Sequence, residues 1–368
     1  LDLSQAFFRL RFELEKVPSR FPIRLSADSR YRLWVNGRFR GRGPCKPSQD
    51  NYYFDDYDLS EDLREGGNLL AVEVRGFGMA GPESFMNRGI SAFLCEGSGG
   101  IGIDTPGHWK CLLGRAVKPD TTPYISNVHQ LIGPSEIYDV AASPCGWELP
   151  GFDDSGWSAP KDILPAEPAR RFGIRHTYWD LHPRPIPPLT EETCFFESIS
   201  WNHGPAKKLP DQPIRIPPHE SAQLILDAGA LATGFPQLDI SGGEERSLAL
   251  RYCESPAAQI LREADDGDGP RYLKVHRKDW RNRLLPGVQD TLLPDGRPFH
   301  YEPMDWRTFW YVVLDVSTGP TELIIGNPRY RFCSFPFRRE GDFRCDSEEI
   351  NAVVEMSWRT FQLCSHET

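Results

Sequence analysis

The sequence predicts a mainly β chain: two β-sandwich domains in succession, followed by a single helix. Three observations lead there. Short runs of aromatic and β-branched residues recur along the chain, each closed by a turn signal. The 33 prolines and 32 glycines are spread out, as many strands and turns require, and do not form a low-complexity linker. Only the last stretch, Gly341 to Thr368, has a long, uninterrupted helical period. At 368 residues, 39% hydrophobic and 26% charged, the chain is globular and long enough for two or three domains.

The first domain is expected over residues 1–165. Tyr31 to Val35 reads as a strand, and Asn36-Gly37 follows it directly. That dipeptide tolerates positive φ at both central positions of a type I′ hairpin turn. A second strand is predicted from Leu69 to Val74, after Gly66-Gly67-Asn68. Between them lies the polar segment Tyr57 to Leu63. Residues 166–189 read as a stiff, proline-rich linker ending in Pro183-Arg184-Pro185-Ile186-Pro187-Pro188. His176 and His182 fall there without partners at metal-ligand spacing. A second sandwich is expected over 190–340, with strands at Gln223–Asp227, Phe235–Ile240, Ser247–Tyr252, Trp310–Val316 and Glu322–Ile325. Gly242-Gly243 marks a turn. The helix opens at 341–368, with Asp346 as N-cap and Glu349 completing a capping box. Ile350, Val353, Val354, Trp358 and Phe361 then share one face.

Charge and cysteines exclude several functions. A net charge of -10 is the wrong sign for a phosphate backbone, so no nucleic-acid partner is expected. No apolar run reaches the ~20 residues of a membrane span. The nine cysteines are odd in number and lack CxxC spacing, which argues against a disulfide framework or a zinc site. Scattered free thiols, with no signal peptide and no glycosylation sequon, favour a cytoplasmic over a secreted protein. The run Asp265-Asp266-Gly267-Asp268-Gly269 lacks the alternating carboxylates of an EF-hand and reads as a surface loop.

Sugar binding needs aromatic faces beside polar groups that engage hydroxyls. Asp50, Asn51, Tyr52 and Tyr53 offer such a set in one loop. The plainer reading is a solvated turn whose tyrosines half-cover the sandwich. Asp50, Asp55 and Asp56 could ligate a structural Ca2+, while no other cofactor is required. Glu254, at a strand end, reads as a hydrogen-bonded carboxylate.

Several motifs carry a resemblance. Trp34-Val35-Asn36-Gly37, Tyr57-Asp58-Leu59-Ser60, Gly67-Asn68-Leu69-Leu70 and Gly146-Trp147…Phe152-Asp153-Asp154-Ser155-Gly156-Trp157 are similar to galactose-binding-like jelly rolls of glycoside hydrolases. Asp227-Ala228-Gly229 through Leu250-Arg251-Tyr252-Cys253-Glu254, and Tyr301-Glu302-Pro303 through Trp306-Arg307-Thr308-Phe309-Trp310, resemble the N-terminal sandwich of bacterial α-L-rhamnosidases of glycoside hydrolase family 78. In the second pattern Trp306, Thr308 and Trp310 depart from the family's Tyr, Gly and Arg. Any role of that arginine is therefore lost or transferred to Arg307. Trp358-Arg359-Thr360-Phe361 and Cys364-Ser365-His366-Glu367-Thr368 resemble the opening of the family's (α/α)6 helical-barrel catalytic domain.

The resemblance implies the N-terminal part of an enzyme that removes terminal α-L-rhamnose from a glycoside or polysaccharide with inversion. Such a mechanism places an acid and a base ~6.5–9.5 Å apart. No catalytic residue is expected within residues 1–368. Glu367 would act as a sugar-contacting or supporting residue, or simply pair with Arg359 or His366. The implied partner is the chain's own C-terminal helical catalytic domain; a homodimer is a separate expectation, from the apolar face of the last helix. The alternatives are a stand-alone carbohydrate-binding β-sandwich protein without catalysis, and the same architecture with another glycoside specificity.

Overall fold

A computed structural model describes residues 3–48, 51–78, 90–97, 102–120, 134–163, 179–262 and 271–367. The chain is mainly β with a helix near its C-terminal end. It forms two compact units, Leu1–Pro119 with Glu136–Pro185, and Asp120–Ser135 with Ile186–Thr368.

The first unit contains β1 (Ser4–Leu14), β2 (Pro22–Asp28), β3 (Arg30–Val35), β4 (Arg38–Gly43), β5 (Tyr52–Asp58), β6 (Gly66–Gly76), β7 (Ala92–Gly97), β8 (Lys110–Gly114), β9 (Val117–Pro119), β10 (Glu136–Asp139) and β11 (Leu181–Pro183). Two sheets, ordered β4-β3-β6-β1-β8 and β11-β5-β2-β7, make a sandwich. Alternation along each strand sends every second side chain inward. Leu10, Phe12 and Leu14 from β1 thus meet Ile23 and Leu25 from β2, with Leu33, Val35, Leu70, Val72 and Trp109. The hairpin between β3 and β4 turns at Asn36 (φ 52°) and Gly37 (φ 84°), both positive as its sequence requires. Asn36 also ties the turn inward, because its Oδ1 accepts from the Leu69 amide and its Nδ2 donates to Asn68.

The outer face of the five-stranded sheet is covered by the Gly146–Trp157 segment. Trp147 packs on Phe7 and Trp34. Asp154 accepts from Arg9 Nε (2.8 Å), Arg11 Nε (3.1 Å) and Lys110 Nζ (2.9 Å). Burial alone would raise the Asp154 carboxyl. The three donors outweigh it and hold the pKa at about 2.

The second unit contains β12 (Thr190–Phe195), β13 (Ser198–Trp201), β14 (Lys207–Lys208), β15 (Ile214–Ile216), β16 (Ser221–Gly242), β17 (Leu248–Cys253), β18 (Ala257–Arg262), β19 (Arg271–Lys274), β20 (Val288–Leu293), β21 (Gly296–Tyr301), β22 (Arg307–Ser317), β23 (Leu323–Ser334) and α1 (Glu348–Cys364). The main sheet runs β12-β23-β16-β22-β17-β20, and β18 pairs with β19 while its Ala257 also bridges to Leu284. Leu224, Leu226, Leu250, Val312 and Leu314 are buried on one face of the sheet. Ile225, Tyr311 and Val313 pack with Trp280 and Leu285 on the other.

Two strands expected from sequence, Gln223–Asp227 and Phe235–Ile240, are parts of the single strand β16. Its register with β22 shifts between Asp227 and Ala232. Asp227 Oδ1 accepts from the Gly229 amide (2.7 Å), a backbone donor within the bulge, and from Trp310 Nε1 (3.0 Å). Gly229 sits at φ 75°, in the left-handed region that favours glycine; a Cβ there would meet only the movable Glu197 carboxylate, so the backbone conformation is what calls for glycine.

The helix begins one residue later than its sequence suggests. Ser347, not Asp346, is the N-cap, with Oγ accepting from the Ile350 amide at 3.3 Å. Asn351, Val354, Trp358 and Gln362 are half-buried, while Ile350, Val353, Met356 and Phe361 are exposed. Between the helix and residues 338–343 lies an open groove of about 530 Å³, with Trp358 and Phe361 on one wall and Arg339 and Phe343 on the other.

Candidate functional site

The residues expected to bind sugar or calcium lie at the start of β5 and along it. Asp50 lies outside the described residues. Asn51 is tied to Ser48: its Nδ2 donates to Ser48 Oγ (3.1 Å) and its carbonyl accepts from the Ser48 amide (3.0 Å). Tyr52 is buried, and its amide donates to the Asp180 carbonyl (2.9 Å). Tyr53 is half-exposed, and Ser26 Oγ donates to its carbonyl (2.7 Å). Asn51 and Tyr53 therefore leave a polar group and a ring open to a ligand, whereas Tyr52 has no accessible face.

Asp55 and Asp56 point to opposite faces of the strand, as adjacent residues must. Asp55 is buried. Tyr31 Oη donates to one oxygen at 2.5 Å and Arg184 Nε to the other at 2.5 Å. Tyr57 Oη lies 3.0 Å from Tyr31 Oη. Burial, and then the Asp55 charge, push both phenols up, so they stay protonated and act as donors. Asp56 is exposed and pairs with Arg24 (3.2 Å), whose guanidinium also covers Phe54. The two carboxylates cannot converge on one ion, and they do not fit a calcium site. Among the described residues no three His, Cys, Asp or Glu side chains cluster at metal-binding distance.

A second constellation joins two motif groups that are about sixty residues apart. The ring of His366, just beyond α1, stacks on Trp306 at 4.0 Å between centroids and 10° between planes. The Ser365 carbonyl accepts from the Phe335 amide at 2.9 Å, pinning this end of the helix to the end of β23. Glu367 follows, half-buried. Four residues before Trp306 in sequence, Glu302 accepts from Gln237 and lies 3.5 Å from Arg331 Nε, which also approaches Glu191 at 3.4 Å. Arg307 does not join this group. Its Nε and one terminal nitrogen grip both oxygens of Asp290 (3.1 and 3.0 Å), and Tyr252 Oη donates to the same carboxylate. Burial opposes the charge on Arg307, but Asp290 more than compensates and raises the pKa. Arg307 is thus a core residue. Glu254 sits exposed at the end of β17, its carbonyl accepting from Arg277 Nε.

Sequence reading missed the Trp306–His366 stack, the Glu302–Gln237–Arg331 group and the Asp55–Arg184 pair. The motifs marked Trp306, Glu302 and His366 separately, but nothing in their spacing places them in contact.

No family model matches the sequence. An α-L-rhamnosidase of Streptomyces avermitilis is 25% identical over 272 residues, covering 68% of this chain and 22% of the relative. The crystal structure of a GH78 family rhamnosidase of Bacillus sp. GL1 superposes on 99% of the chain with a TM-score of 0.72 at 16% identity. The chain has the fold of a rhamnosidase N-terminal portion. The structure of Streptomyces avermitilis α-L-rhamnosidase complexed with L-rhamnose matches 100% of the chain with a TM-score of 0.62 at 18% identity. This rhamnosidase-like chain spans 57% of the Bacillus protein and 32% of the Streptomyces one. The nine cysteines are free thiols, and among the described residues no helix is long and apolar enough to cross a membrane.

Proposed function

We propose that the chain is the N-terminal, non-catalytic portion of an α-L-rhamnosidase acting on terminal α-L-rhamnose of a glycoside or polysaccharide. The observation carrying this reading is the match to a GH78 rhamnosidase over 99% of the chain, against 57% of that protein. In this reading an acid protonates the leaving oxygen while a second carboxylate activates water on the opposite face of the sugar, so configuration inverts. Both carboxylates belong to a helical domain outside residues 1–368. Asn51 and Tyr53 could contact sugar in the first unit, and Glu367 could support the catalytic pocket.

The test is hydrolysis of an aryl α-L-rhamnoside. The 368-residue chain should release no more phenol than a blank. The protein from its natural source should turn over, with the first-formed sugar anomer inverted by NMR. Activity in the short chain, abolished by changing one of its carboxylates, would overturn the domain assignment.

A further inference from the structure

The first unit ends at Pro185, and the residues just before that exit are held to it in an unusual way. Strand β11 is only three residues long and pairs in parallel with the edge of β5, Leu181 opposite Tyr52 and Pro183 opposite Phe54. Flanking this short ladder, the Tyr52 amide donates to the Asp180 carbonyl (2.9 Å), and the Arg184 amide to the Phe54 carbonyl (3.0 Å). Pro183 has no N–H to give. A three-residue parallel edge strand is weakly held by such bonds alone.

Side chains anchor both ends. Before the strand, Trp179 Nε1 donates to Oδ2 of the buried Asp28 at 3.0 Å. After it, Arg184 Nε donates to Asp55, and both side chains are less than a tenth exposed. Tyr31 and Tyr57 complete that anchor on the inner face of the sandwich. The anchors draw on sandwich residues already fixed by the core, so losing them need not disturb the sandwich.

We propose that Trp179–Arg184 is a releasable strap, locked by the Asp55–Arg184 pair, that opens locally while the first unit stays folded. Closed, it makes the chain leave the unit beside β5. Open, it frees six residues, up to about 20 Å of extra reach for the outgoing chain. It also sits on the strand that carries Asn51 and Tyr53, so anything gripping those residues would act on the strap's partner strand. The anchor gives Asp55 a structural role, distinct from calcium binding.

Hydrogen exchange on the whole 368-residue chain tests this. In Arg184→Met, exchange of the Tyr52 and Arg184 amides should rise at least tenfold, while amides of Leu70 and Val72 in β6 keep their protection. Asp55→Asn should do the same, and the double variant should add little, as for two halves of one contact. Chymotryptic cleavage after Leu181 should accelerate in parallel. Arg24→Met, which removes the exposed pair on the other face of β5, should change neither. Trp179→Phe keeps the ring but deletes the donor to Asp28. It should raise Tyr52 exchange by a smaller factor, and it serves if the ion-pair variants do not fold. Unchanged strap amides in a folded variant would overturn the proposal. So would a rise shared by all of the first unit, or protection that depends on added calcium and is lost in Asp55→Asn.

Discussion

Replacing Asp154 by Asn should destabilise the first unit more than any single surface change. Asp154 is 8% exposed, and the Arg9 side chain it pairs with is fully enclosed. Arg11 and Lys110 converge on the same carboxylate. Asparagine keeps the shape but leaves the Arg9 charge buried without a counter-charge. Breaking a buried pair in this way costs about 3–5 kcal/mol. For a unit of this size that is a fall in Tm of about 6–20 °C. The exposed control Asp56→Asn should cost less than about 1 kcal/mol.

The gap should also depend on pH, with a definite sign. The folded-state pKa of Asp154 is lowered, to about 2 from 3.8. Its stabilisation is therefore complete above pH 3.8 and fades as pH falls towards 2. That shift corresponds to about 2 kcal/mol. Urea unfolding of wild type and Asp154→Asn, followed by fluorescence of the Trp147–Trp157 cover, should show the gap narrowing by that amount between pH 4 and pH 2. Below pH 2 the gap should close further, because a protonated Asp154 leaves Arg9 as uncompensated as asparagine does. A gap below about 1 kcal/mol at pH 7, or one that does not narrow on acidification, would refute the reasoning.

Two further outcomes are expected. His300 Nδ1 lies 2.7 Å from Asp239 and, against partial burial and together with Arg329, holds that carboxyl at about 2. In His300→Ala, a carbon-detected titration of Asp239 should move up towards 3.8, with a stability change under about 1 kcal/mol because both side chains are 44% exposed. An unmoved titration would remove His300 as the main cause. Sedimentation of the 368-residue chain should show concentration-dependent association through Ile350, Val353, Met356 and Phe361, which are 48–62% exposed. A variant carrying Ile350→Lys, Val353→Glu and Met356→Lys should not associate. Identical monomer profiles for both would mean the stripe needs no cover.

What the sequence revealed was mostly local. The Asn36-Gly37 turn works because two adjacent residues must adopt positive φ, and only a few residue types do so. The α1 period is legible because each turn repeats the same apolar face. The sequence shows two strands where there is one, β16, because Asp227 to Gly234 is rich in Gly and Ala, which have low strand propensity. The bulge needs those residues and the pairing on both sides survives it. Asp346 and Ser347 are both good caps, and only backbone direction chooses between them. The candidate site was the least legible part. Asp55 and Arg184 are 129 positions apart, so no spacing rule pairs them. Asp50, Asp55 and Asp56 looked like one carboxylate set, but the two-residue period of a strand separates the last two.

The measurement closest to the central claim is rhamnoside hydrolysis by two preparations side by side: the 368-residue chain and the protein from its natural source, each also weighed intact. The natural protein should weigh well above the 368-residue chain and hydrolyse an aryl α-L-rhamnoside with inversion, and the short chain should not. A natural protein no heavier than the short chain, or hydrolysis by the short chain that depends on one of its own carboxylates, would contradict it.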